Sequence, residues 1–132
     1  YFKLGKSLSL AGRNQEALEA VSQALAVNEM YEPALKLAGQ LKMEQGDYHA
    51  ARQDFEKLIV ANKKYFSAYV ELAKILIKEG CREEARETLR SCLRINPGYK
   101  PALFALGDTF NESDPEIAGK YYDLANSITN LN

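Results

Sequence analysis

The sequence predicts an all-α fold of about four antiparallel helical hairpins, and three observations carry that expectation. One 34-residue period runs through five columns: Gly12/Gly46/Gly80, Asn28/Asn62/Asn96, Tyr31/Tyr65/Tyr99, Ala17/Ala51/Ala85 and Gly5/Gly39/Ala73/Gly107. Two kinds of break fall at fixed places inside each period. Between the breaks, apolar residues recur at helical spacing, as in Leu72, Ile75 and Leu76, then Ala85, Leu89 and Cys92.

The units are expected at residues 1–31, 32–65, 66–99 and 100–132, within a single domain. In the first, Tyr1 falls inside a helix, and Ala11-Gly12-Arg13-Asn14 turns the chain into a second helix. Asn28 to Tyr31 then leads to the next unit, where Pro33 opens a helix at a position whose missing N–H costs nothing. Gln45-Gly46-Asp47 and Glu79-Gly80-Cys81 repeat the glycine turn, which ends a helix in the left-handed conformation at little cost. Asn62 to Tyr65 and Asn96-Pro97-Gly98-Tyr99 repeat the second connection, and Pro101 opens the last unit. That unit is one residue short, since Ala85 to Ala118 is 33, and Ser113-Asp114-Pro115-Glu116 stands there as a capping box in place of a glycine turn. Helices of about 11–14 residues result.

These spacings resemble the tetratricopeptide repeat, whose signature sets an aromatic, Leu-Gly, Tyr, Ala, Phe and Pro at fixed offsets. The units offer Tyr1, Leu4-Gly5, Leu8, Ala17 and Val21; Leu35, Ala38-Gly39, Lys42, Ala51 and Phe55; Tyr69, Leu72-Ala73, Leu76, Ala85, Leu89 and Pro97; and Leu103, Leu106-Gly107, Phe110, Ala118 and Tyr122. The resemblance covers essentially the whole chain. It implies a right-handed superhelical solenoid in which small residues let paired helices approach and Phe55, Tyr69, Leu89 and Tyr122 fill the spaces. Lys42 departs from the pattern, and its stem is expected to pack while its amine reaches water.

Composition narrows the function classes. The 132 residues are 46% apolar and 27% charged, with a formal net charge of -1, so no nucleic-acid partner is expected. No apolar run approaches the roughly 20 residues of a membrane span. Cys81 and Cys92, eleven residues apart on one helix, would lie about 16 Å from each other, too far for a disulfide, and reduced thiols of an intracellular protein are expected. The start at Tyr1 without Met suggests a piece of a longer protein. More helix, or self-association through uncapped ends, is expected beyond Tyr121, Tyr122, Leu124 and Ile128.

No catalytic constellation, cofactor motif or metal-ligand spacing emerges, and the chain is expected not to be an enzyme. His49 is expected to face water, and Cys92 falls in the packed column of Ala24, Leu58 and Ala125. Cys81 stands beside Arg82 without a base to activate it. Arg82, Arg86 and Arg90, alternating with Glu83, Glu84 and Glu87, read as a salt-bridged outer face.

The resemblance implies a concave groove lined by first helices, where a protein or peptide partner would bind as on a scaffold or adaptor. Its residues would be Phe2 and Lys6; Lys36, Gln40 and Met43; Val70, Lys74 and Ile77; and Phe104, Asp108 and Asn111. The lysines suit an acidic segment and the apolar residues suit apolar anchors. A clamp for the C-terminal carboxylate of heat-shock chaperones, used by part of the family, is not expected, because Phe2, Gln40 and Val70 stand where it needs Lys or Asn. The alternative is a structural superhelix segment that mediates oligomerisation or positions a domain outside these residues.

Overall fold

The computed structural model describes residues 3–6 and 12–128. After a helical stretch at 3–6 come α1 (Asn14–Val27), α2 (Glu32–Glu44), α3 (Tyr48–Ala61), α4 (Phe66–Lys78), α5 (Arg82–Ile95), α6 (Lys100–Phe110) and α7 (Pro115–Ser127). The fold is all-α, with no strand among the described residues. Two compact units divide it, Tyr1–Ala68 and Tyr69–Asn132, with the boundary inside α4.

The periodic residues owe their places to backbone geometry. Gly46 has φ +81 and follows the last turn of α2, where its N–H donates to the Met43 carbonyl and that of Asp47 to Lys42. Gly80 has φ +82, with the matching bonds to Ile77 and, from Cys81, to Leu76. These paired bonds satisfy carbonyls that the helix end leaves open, and only glycine takes the left-handed turn without strain. The asparagines do a different job. The Asn28 side chain accepts from the Met30 N–H at 3.2 Å and that of Asn62 from Lys64 at 3.0 Å, while the Tyr31 and Tyr65 N–H groups donate to the asparagine carbonyls. Asparagine at the exit of α1 and α3 thus builds its own turn.

In the first unit, α1 packs on α2 and α2 on α3. Ala17 and Val21 of α1 meet Ala34, Ala38 and Leu41 of α2, with Leu18, Leu25 and Leu37 at the margin. The ring of Phe55 on α3 is fully buried and lies where a Cβ on Gly39 would stand, 2.7 Å from Cε2. Burial of such a ring contributes about 1.5–3 kcal/mol, and the missing methyl is what admits it. Lys42 keeps 23% of its side chain in solvent, but its amine also has a protein partner that the sequence did not suggest. Its ammonium lies 2.7 Å from Oδ2 of buried Asp54, tying α2 to α3.

In the second unit, α5 packs on α6 and α6 on α7. Ala85, Leu89 and Cys92 of α5, Ala102, Leu103 and Leu106 of α6, and Ala118 and Ala125 of α7 are buried. Arg86, assigned by sequence to the charged outer face, is buried instead. Its Nε donates to the Thr109 hydroxyl at 3.1 Å and its Nη2 to the Thr109 carbonyl at 2.7 Å, near the end of α6. It still pairs with exposed Glu83, and of the expected surface pairs Arg90 reaches Glu87, as does Arg94. The start of α7 also differs by one residue. Asp114, not Ser113, is the cap, and it accepts from the Ile117 N–H at 3.3 Å.

Candidate functional site

The first unit holds a cleft of about 260 Å³ lined by Lys6, Pro33, Lys36, Leu37, Gln40 and Tyr65. Pro33, Lys36, Leu37 and Gln40 come from the first turns of α2, and their spacing sets them along one side of that helix. Tyr65 is set by the asparagine turn after α3, and the Lys36 ammonium stands 5.8 Å from its ring centroid. A cation at that distance from an aromatic face is weakly held, so the amine keeps one side for another group. Lys6 is exposed, and neighbouring Gly5 is buried where a Cβ would meet Val21.

The cleft therefore joins three residues that the sequence nominated, Lys6, Lys36 and Gln40. Met43 is half-buried further along α2. Phe2 lies outside the described residues. Tyr65, Pro33 and Leu37 were not nominated. Tyr65 was visible only as a repeat column, although an aromatic fixed in register after a turn is a usable signal for a cleft wall.

The second unit treats its nominated residues unequally. Val70 is 8% exposed and belongs to the core, which corrects its assignment to a binding surface. Its helix also buries Ala68, Tyr69, Leu72, Ala73, Ile75 and Leu76, and a helix apolar on most sides has no free face there. Ile77 is half-buried, and the Lys74 ammonium stands 3.4 Å from Glu71. Phe104 and Asp108 share one side of α6 and meet Tyr122 of α7. The Tyr122 hydroxyl donates to Asp108 Oδ1 at 2.5 Å, and its ring stacks on Phe104 with centroids 6.3 Å apart. That hydrogen bond raises the Tyr122 pKa above its ordinary value. Asn111 is exposed where α6 ends.

Among the described residues the titratable groups show no convergent acid–base arrangement. His49 is exposed near Gln53 on its own helix. Burial pushes the Cys92 thiol up to about 11, so it is a packed apolar group at neutral pH. Among the described residues no three His, Cys, Asp or Glu side chains gather as a metal site. Among them, too, no helix is long and apolar enough to cross a membrane.

Residues 42–107 match a family model described as "Tetratricopeptide repeat". Anaphase-promoting complex subunit 3 of Schizosaccharomyces pombe (strain 972 / ATCC 24843) is 24% identical over 123 residues, which span 92% of this chain and 18% of that protein. The chain thus spans under a fifth of that relative's length. Among solved structures, MamA superposes with a TM-score of 0.85 at 23% identity, covering 94% of this chain and 73% of MamA. YrrB, described as "a TPR protein with an unusual peptide-binding site", gives 0.78 at 22% identity, covering 95% of this chain and 65% of YrrB. TTC0263, a thermophilic protein of Thermus thermophilus, gives 0.75 at 22% identity, over 94% of this chain and 70% of its own.

Proposed function

Because the chain belongs to the tetratricopeptide repeat family, we propose that it is a protein-interaction segment whose first unit holds a peptide at the Lys6–Lys36–Gln40–Tyr65 cleft. Proteins of this family bind protein or peptide partners and are generally non-catalytic scaffolds, which supports reading the chain as a binding module and not an enzyme. The peptide-binding site described for YrrB supports the same reading.

The observation that carries the proposal is the joint make-up of the cleft. Two ammonium groups and one amide edge it, while Pro33, Leu37 and Tyr65 give it apolar walls. An aspartate or glutamate of the partner meets the lysines, and a neighbouring aliphatic or aromatic side chain covers the Leu37 and Tyr65 surfaces. The amide of Gln40 can donate to a backbone carbonyl and accept from a backbone N–H, which suits an extended segment.

A panel of labelled peptides, acidic, neutral and basic, each with and without one apolar anchor, tests this by fluorescence polarisation. The proposal expects the acidic, anchored peptides to bind best, with binding lost in the Lys6→Glu/Lys36→Glu variant at unchanged helicity. Binding that ignores peptide charge, or that survives the double reversal, would overturn it.

A further inference from the structure

The second unit carries a site of opposite character, and we propose that Phe104, Asp108 and Tyr122 form a receptor for an arginine side chain of a protein partner. Phe104 and Asp108 are four residues apart on α6 and so present one face. Tyr122 crosses from α7 onto that face, and the reason is visible in Gly107. A Cβ there would stand 2.7 Å from Tyr122 Cε1, so the ring rests directly on the α6 backbone. Resting on Gly107, stacked on Phe104 and bonded to Asp108, the tyrosine has no freedom left to lose when a ligand arrives.

What that arrangement offers outward is a carboxylate beside aromatic surface. Asp108 is exposed, and the tyrosine hydroxyl occupies only one lone-pair position of Oδ1. No described Lys or Arg pairs with it. Phe104 leaves 37% of its surface in solvent, much for a phenylalanine already stacked on one neighbour. A planar guanidinium satisfies both needs at once, donating to the carboxylate while lying on the ring. An ammonium can make the ion pair but covers less of the ring. A carboxylate ligand would be repelled, so the site selects the opposite charge from the Lys6–Lys36 cleft and does not depend on it.

The bland alternative is that Asp108 and Tyr122 only tie α6 to α7. Asp108→Asn separates the two, because an asparagine oxygen still accepts from the hydroxyl while the charge is gone. The probe is Nα-acetyl-arginine amide, titrated into the 132-residue chain at fixed ionic strength and followed by two-dimensional NMR. The citrulline derivative serves as the neutral planar isostere and the lysine derivative as the non-planar cation. The expected result is saturable shifts at Phe104, Asp108 and Tyr122 with arginine. Affinity should be about tenfold weaker for citrulline and for Asp108→Asn, as the loss of a charge-assisted hydrogen bond implies. Equal binding of citrulline, lysine binding as tightly as arginine, indifference to Asp108→Asn, or shifts absent from these residues would each overturn the proposal.

Discussion

The Arg86 guanidinium lies on the Phe110 ring, 3.8 Å from its centroid, and donates from the same plane to both the hydroxyl and the carbonyl of Thr109. The carbonyl is one of the last four of α6, which have no partner within their own helix. One side chain of α5 therefore closes the end of α6.

Replacing Arg86 by Met is expected to cost about 2–4 kcal/mol, because the Thr109 carbonyl and hydroxyl lose buried donors. Glu83 also pairs with Arg86, but its side chain is 79% exposed. Glu83→Gln should cost under about 1 kcal/mol. Urea unfolding of the two variants checks the order, and a reversed order would remove Thr109 from the explanation.

The Lys42–Asp54 pair makes a second prediction. Lys42→Ala strands a buried carboxylate and should cost about 2–3 kcal/mol, below the range for a wholly buried pair because the lysine remains partly in solvent. The double variant Lys42→Met/Asp54→Leu should regain most of that loss. A double-mutant cycle measures the coupling, and additive losses would mean that the ion pair does not join α2 to α3.

Two helical glycines should respond in opposite directions to alanine. At Gly39 the methyl meets the buried Phe55 ring at 2.7 Å, and overpacking of about 1–3 kcal/mol outweighs the gain in helix propensity. At Gly119, inside α7, no described atom beyond the chain neighbours and the local helix backbone lies within 4 Å of the new methyl, and Gly119→Ala should stabilise by about 0.5–1 kcal/mol. Thermal melting of both variants gives the signs.

The thiols should differ in reactivity, and one should set an alkaline limit. Cys81 is only half-buried at the start of α5, whereas Cys92 is fully buried. A thiol reagent is expected to modify one cysteine in the native chain and both after unfolding. The Cys92 thiol rises from 9.0 to about 11 on folding, so the folded state holds its proton longer. Its contribution is complete below pH 9 and disappears as pH climbs towards 11, a loss of at most about 2–3 kcal/mol. Buried Tyr69 and half-buried Tyr99, raised mainly by desolvation, add losses in the same direction. Urea midpoints across that range should fall, and Cys92→Ala should flatten part of the slope.

The features legible in the sequence were those fixed by backbone conformation or by spacing within one hairpin. A left-handed turn calls for glycine at positions 12, 46 and 80, and an asparagine turn calls for Asn28 and Asn62, so their period announced the helices. Arg86 was misread because its local neighbours alternate in charge, while its decisive partner is 23 residues away. Val70 was misread because a repeat offset gives an angle around a helix but not how many sides of that helix are covered. Lys42 was known to be unusual, but the position of Asp54 opposite it depends on how α2 and α3 dock. Lys6, Lys36 and Gln40 line one cleft, as their repeat register allows, and Tyr65 joins them only through the path of a turn.

The turn glycines have one more consequence. Gly12, Gly46 and Gly80 hold φ between +79 and +82, and among the described residues nothing beyond their chain neighbours lies within 4 Å of a Cβ built on any of them. Strain alone, not crowding, excludes an L-alanine there, at about 1–2 kcal/mol. For a residue of the opposite hand the same backbone is the relaxed one. D-Alanine introduced by chemical ligation should stiffen the unfolded chain without touching the folded one, so these three turns are where mirror-image chemistry could reinforce the protein from outside the genetic code.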